Sequence, residues 1–184
     1  MKVAVMGKLR SGKTTASNHL ALQLGCETFD FSDALKEVVG IMYPKSKEHK
    51  DRSLLQKVGQ HMREIDEDVW VNALMDRVKN SGYRNSVVTG LRQPNEHKAL
   101  VDDGYFIIKI DAPTDVRVNR AIKSGDKMDE SNLTHETESY IDDLKADIVI
   151  TNDGNKYDLF RKLDKAISDL LFMELNRNLL GSNR

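Results

Sequence analysis

Residues 7–14 read GKLRSGKT, and the apolar run Val3-Ala4-Val5-Met6 stands immediately before them. The spacing G-x-x-x-x-G-K-[ST] between a strand and a helix is a device for holding phosphate. Gly7 and Gly12 let the backbone turn and approach an anion with no Cβ in the way. Successive backbone N–H groups, with those opening the following helix, then face the phosphate oxygens. Lys13 is expected at the β- and γ-phosphates of a nucleoside triphosphate, and the Thr14 hydroxyl on Mg²⁺. Lys8, Arg10, Ser11 and Thr15 complete the expected nucleotide-binding loop, with Thr15 as a structural residue or a secondary phosphate contact.

Such a loop needs a strand behind it and a helix in front. Val3–Met6 reads as the buried strand, and Thr14–Leu24 as the helix, with Ala16, Leu20 and Leu24 four apart on one face. Glu27–Phe31 alternates like a short strand, and Ser32 is placed to cap a helix running to Val39. Arg52–Ile65 and Val69–Val78 read as helices, Ser86–Thr89 as a buried strand, and Pro94–Val101 as a helix opened by proline. Phe106–Ile110 and Ile148–Ile150 are further strands, with helices expected over Asp115–Lys123 and Tyr140–Leu144. After the turn Asn152–Asn155, a long amphipathic helix carries Leu159, Leu163, Ile167, Leu170 and Leu171 on one side. Strands alternating with helices predict an α/β fold with a five-stranded parallel sheet covered on both faces.

The chain has 184 residues, room for a single domain with a real core. A net charge of −1 with 31% charged residues gives no global reason to expect nucleic-acid or membrane binding. No apolar run approaches a membrane span, and MKVAVMGKLR has no signal-peptide core. The single cysteine, Cys26, reads as a small buried residue in a reducing, cytoplasmic setting. The five histidines show no metal spacing or triad, and His19 reads as a helix-face residue. Trp70 reads as core. Ser124–Glu138 is polar and nearly free of large apolar residues, the composition of a mobile insertion, in which His135 is a candidate cap.

A phosphate loop alone does not settle the reaction. A small GTPase would carry a D-x-x-G switch after a strand, which is absent. A motor or AAA-type ATPase ordinarily needs more chain and a strand ending in Asp-Glu, whereas here Asp111 is followed by Ala112-Pro113. A small-molecule kinase fits the length best.

The order and spacing of several further segments carry a resemblance: RSGKT at 10–14, FSDALK at 31–36, LQKVGQ at 55–60, DVW at 68–70, VVTGLRQPNE at 87–96 and ADIVITNDG at 146–154. Together they resemble the P-loop nucleoside monophosphate kinases, and most closely the deoxynucleoside monophosphate kinases of bacteriophages. The resemblance implies a three-layer P-loop fold, a helical acceptor-binding region over about residues 33–79 and a lid over about 124–138. It implies ATP and Mg²⁺ as cofactors, a (deoxy)nucleotide as the small-molecule partner, the host cytoplasm as the location, and a monomer or homodimer. It makes Asp33, Lys36, Arg63, Arg92, Gln93 and Glu96 acceptor-side candidates, and Arg117 and Arg120 catalytic candidates beside Lys13. Asn152, Asp153 and Gly154 become candidates for the base edge of ATP.

Each of these residues also has an ordinary reading. Arg63, Arg117 and Arg120 suit a basic helix surface, Arg92 a strand-end surface, Gln93 and Glu96 a solvated helix start, and the 151–154 loop a plain turn. One position departs from the pattern. Relatives often carry Asp, as D-x-R, where this chain has Gly90 in Gly90-Leu91-Arg92. Glycine there would allow close approach of the acceptor, and Asp33 is a possible substitute carboxylate, or else a first-turn acid favoured by the helix dipole. Two rival functions stay open: a dephospho-coenzyme A kinase, whose acceptor is a hydroxyl, and a nucleotide-dependent binding protein without transfer.

Overall fold

The computed structural model describes residues 1–44, 52–124 and 136–181. Five strands are present: β1 (Lys2–Met6), β2 (Thr28–Asp30), β3 (Ser86–Thr89), β4 (Phe106–Asp111) and β5 (Ile148–Thr151). They form one parallel sheet in the order β2-β3-β1-β4-β5. The helices are α1 (Lys13–Leu24), α2 (Ser32–Met42), α3 (Arg52–Ile65), α4 (Val69–Asn80), α5 (Pro94–Asp102), α6 (Thr114–Lys123), α7 (Glu136–Asp143) and α8 (Lys156–Gly181).

The strand period of two divides the interior into two cores. Val3 and Val5 of β1 face α1 and α8, where they meet Leu20, Leu163 and Leu170. Ala4 and Met6 face the other way, onto Trp70, Leu74 and Leu100 of α4 and α5. Every residue from Val3 to Met6 is fully buried, which is why β1 is a continuous apolar run. Leu20 is fully buried between sheet and α8, and its truncation to Ala costs about 2–5 kcal/mol. Trp70 is core as expected, its indole N–H donating to the Gly59 carbonyl at 3.2 Å.

Because all strands run the same way, their C-terminal ends share one edge. That edge collects the Gly7–Gly12 loop after β1, Asp30 after β2, Gly90–Gln93 after β3 and Asn152–Asn155 after β5. In open α/β sheets ligands bind along such an edge. The expected acceptor region holds α2, α3 and α4, with residues 45–51 outside the description. Residues 125–135 of the expected lid, His135 included, lie outside the described residues.

The helix after β2 starts differently from the expectation. Ser32 is its first residue, not its cap. The Asp30 carboxylate takes that part, with Oδ1 accepting from the Ser32 N–H at 2.8 Å and from the Ser32 hydroxyl at 2.5 Å.

Candidate functional site

The loop after β1 has the backbone that its glycines permit. Arg10 lies at φ 62° and Gly12 at φ 105°, both left-handed, so the chain curls before α1 begins. The Lys8 carbonyl gathers this curl, accepting from the Ser11 N–H at 3.1 Å and from the Lys13 ammonium at 2.8 Å. A Cβ on Gly12 would collide with the side-chain amide of Asn152. No acid stands in the first turn of α1, so the positive end of the helix dipole is left for an anion. The Ser11 hydroxyl is buried and has no hydrogen-bond partner among the described residues. Thr14 is exposed on that turn. This donor set fits a phosphate chain, with an exposed hydroxyl oxygen suited to a hard divalent cation.

Lys8 differs from the expectation. Its ammonium is 2.6 Å from Asp142 of α7, and Lys109 of β4 reaches the same carboxylate at 3.3 Å. Its main-chain carbonyl serves the loop while its side chain ties the loop to α7. The hydrogen bond from Lys8, supported by Lys109, holds the Asp142 carboxyl below its ordinary range.

Arg117 and Arg120 share the face of α6 that looks onto the loop. Arg117 is 4% exposed and donates to the Leu9 carbonyl at 3.4 Å and to the Thr114 hydroxyl at 3.3 Å. Arg120 donates to the carbonyls of Asn152 at 3.1 Å and Ser11 at 3.4 Å, and to Oδ1 of Asn152 at 3.3 Å. The basic-surface reading is thereby excluded for this pair, since both side chains point inward to carbonyls. Asn152 is itself 5% exposed and donates its side-chain amide to the Ser11 carbonyl at 2.7 Å. It braces the loop. Asp153 and Gly154 are exposed, and Asp153 lies 3.4 Å from Lys162. Arg120, Asn152 and Gly154, with Thr15, Lys156 and Leu159, line a cavity of about 240 Å³.

On the other side of the edge, Glu96 is 3% exposed. Its carboxylate accepts from the N–H of Arg92 at 2.8 Å and of Gln93 at 3.1 Å. It therefore closes the start of α5 and shapes the loop that presents Arg92. The expected solvated helix start is corrected, and direct acceptor contact by Glu96 has to compete with these bonds. Burial pushes the Glu96 carboxyl up, while the two N–H bonds and then the positive charges of Arg63 and Arg92 pull it down. Arg63, from α3, and Arg92, from the β3 loop, thus both act on this carboxyl through their positive charge. Arg92 is exposed and Arg63 half-buried.

Gly90 is not open to a ligand in the way expected from its size. It lies at φ 80°, and a Cβ there would stand 2.5 Å from Oδ1 and 2.9 Å from Cγ of Asp30. Asp30, which the sequence did not single out, fills the space. Asp33 is occupied locally, accepting from the Asp30 N–H at 3.1 Å and standing 3.4 Å from Lys36. The sequence signal that could have found Asp30 is its place as the last residue of a strand beside a strand that ends in glycine.

A family model described as AAA domain, AAA_18, matches residues 3–141. The chain belongs to that family. The description corrects the length argument against an AAA-type domain, although the single carboxylate at Asp111 still differs from an Asp-Glu strand end. Two curated relatives are similar. Uncharacterized protein ORF77 of Ictalurid herpesvirus 1 (strain Auburn) is 26% identical over 83% of this chain and 64% of its own length. Deoxynucleotide monophosphate kinase of Enterobacteria phage T4 is 30% identical over 65% of this chain and 46% of its own. The chain thus spans between about half and two thirds of the length of these relatives. Among solved structures, shikimate kinase from Aquifex aeolicus vf5 superposes with a TM-score of 0.54 at 19% identity, covering 98% of this chain and 99% of the other. The fold is that of P-loop kinases.

Proposed function

We propose that the chain is an ATP-dependent kinase that moves the γ-phosphoryl group of ATP onto the 5′-phosphate of a nucleoside or deoxynucleoside monophosphate. The observation that carries the acceptor class is Arg92, exposed just past the C-terminal end of β3, with Arg63 of α3 on the same side of the edge, where the positive charges of both act on Glu96. Two guanidinium groups gathered from separate elements suit bidentate capture of an anionic phosphate better than capture of a neutral hydroxyl. The 30% identity to a phage deoxynucleotide monophosphate kinase supports the same class.

In this reading the donor phosphates lie on the Gly7–Thr15 loop, with Lys13 at the β- and γ-phosphates. The Thr14 hydroxyl would hold Mg²⁺, which when bound would supply neutralisation of the phosphate charge. The 240 Å³ cavity beside Arg120 and Asn152 takes the donor base. An oxygen of the acceptor phosphate forms the new bond to the γ-phosphorus as the bond to the β-bridging oxygen breaks, giving ADP and a nucleoside diphosphate. That oxygen is already ionised at neutral pH, so positioning and charge stabilisation carry the reaction and no strong base is required. Arg117, buried against the loop, is the fixed cation closest in character to an arginine finger.

The test is ADP release measured against a panel of NMPs and dNMPs, with dephospho-coenzyme A and shikimate as hydroxyl acceptors. Turnover confined to monophosphates supports the proposal. Turnover with a hydroxyl acceptor alone rejects it, and failure to release ADP with every acceptor leaves the binding-protein reading in its place.

A further inference from the structure

We infer that Asp30 is the carboxylate that orients the divalent cation of this site, and that Gly90 is glycine because Asp30 occupies its side-chain space. The inference rests on the phosphate-loop reading of the donor site, and not on the identity of the acceptor.

Three observations carry it. First, the collision is specific. All three atoms of the Asp30 carboxylate group, Oδ1, Cγ and Oδ2, lie between 2.5 and 3.1 Å from where a Gly90 Cβ would be. No side chain at position 90 can coexist with this rotamer, and φ 80° disfavours most of them independently. A carboxylate therefore stands at the end of β3 although β3 does not supply it. It arrives from β2, one strand further from the loop, by leaning over the neighbouring strand.

Second, the group is held by one oxygen only. Oδ1 takes both hydrogen bonds from Ser32. Oδ2 accepts no hydrogen bond among the described residues. An oxygen left in that state on a fixed carboxylate is suited to receive a proton of a metal-bound water, the arrangement by which outer-sphere acids orient a cation.

Third, the neighbouring acids are engaged. Asp33 spends Oδ2 on the Asp30 N–H and has Lys36 beside Oδ1. Glu96 spends its carboxylate on the loop backbone. Strand β3 lies next to β1, whose end carries the loop and Thr14. Among these three acids, Asp30 keeps an oxygen free of hydrogen bonds among the described residues and leans over β3 toward that side.

The test uses the full chain with Mn²⁺ as probe and the non-hydrolysable analogue AMP-PNP, followed by electron paramagnetic resonance. Asp30→Asn keeps the shape and an acceptor for Ser32. It should weaken Mn²⁺ binding to the protein–analogue complex by about tenfold, with little change in analogue affinity measured without metal. Gly90→Ala should weaken Mn²⁺ binding as well, because the new methyl displaces the carboxylate. The exchange Asp30→Gly with Gly90→Asp should recover part of the loss, since it returns one acid to the same space. Melting of each variant separates a folding defect from a site defect. Wild-type Mn²⁺ affinity in Asp30→Asn, or a loss in that variant matched by an equal loss of metal-free analogue binding, overturns the assignment. No acceptor enters this measurement, so a wild-type protein that phosphorylates no nucleotide rejects the proposed acceptor while leaving this result to stand or fall alone.

Discussion

The side-chain amide of Asn152 donates to the main-chain carbonyl of Ser11 at 2.7 Å, a buried bond between residues 141 apart in sequence. It ties the loop after β5 to the phosphate loop after β1, across β4. The same Asn152 accepts from Arg120 through Oδ1 and through its carbonyl. One residue thus joins the loop after β1, the loop after β5 and α6.

Asn152→Ala should therefore act on loop geometry and not on a base contact. It removes a buried hydrogen bond and leaves the Ser11 carbonyl only the longer one from Arg120 at 3.4 Å, a loss of about 0.5–1.5 kcal/mol. Chemical denaturation should show a loss of that order, and ATP affinity should fall without any change in preference among nucleoside triphosphates. A change in base preference with unchanged stability would return Asn152 to the base edge.

Lys13→Ala should abolish transfer and leave the fold intact. Lys13 donates to the Lys8 carbonyl, and its side chain joins neither core cluster. Wild-type turnover in a variant of normal melting temperature would reject the donor site.

The donor edge was legible in the sequence because the phosphate loop is local. Eight consecutive residues encode turn, dipole and lysine, and the described strands match the expected ones closely, whereas α7 begins at Glu136, four residues before the expected start and inside the stretch expected as an insertion. The fully buried Val3–Met6 run made β1 readable for the same reason. What depends on two distant segments was not legible. Asp30 and Gly90 belong to different strands, and nothing in either segment alone says that one carboxylate fills the other's space. Lys8 matched the loop pattern, but its side chain goes to Asp142 on α7. Glu96 stood in an acceptor-like segment, yet its burial and its two backbone bonds make it the organiser of the loop.

Arg92→Ala should raise the acceptor KM about tenfold or more, the cost of one lost charged contact, with ATP affinity nearly unchanged. Arg92 is exposed just past the end of β3 and its guanidinium makes no hydrogen bond among the described residues, which suits a ligand contact. A fall in ATP affinity with normal acceptor KM would move Arg92 to the donor side.

The two α6 arginines should separate. Arg120 lines the cavity with Asn152 and Thr15, so Arg120→Ala should weaken ATP binding. Arg117 reaches the loop at Leu9, so Arg117→Ala should lower kcat more than either KM. Equal effects of both substitutions on kcat alone would restore the reading in which the pair acts as one catalytic unit.

Glu96 sets a pH dependence whose sign follows from its burial. Burial raises its carboxyl, so the folded chain keeps this proton at pH values where the unfolded chain has lost it. Stability changes with pH according to the protons bound by each state, and falls with rising pH where the folded state binds more. Glu96 therefore lowers stability as pH climbs from the ordinary carboxyl range through its raised value, and adds no further pH dependence above that window. Asp142 acts in the opposite sense: its depressed carboxyl contributes stability that is lost as pH falls through the folded value. That contribution is common to wild type and Glu96→Gln and cancels in their difference. Glutamine retains an oxygen for the Arg92 and Gln93 N–H groups but titrates nowhere in this range. Urea denaturation of both proteins from pH 4 to about pH 8 should show the wild-type advantage largest at the acid end and shrinking through the window. A gap that widens with pH would mean that the ionised carboxylate is favoured by Arg63 and Arg92 more than burial disfavours it, and that Glu96 holds the two arginines by charge as well as shaping the Arg92 loop through its backbone bonds.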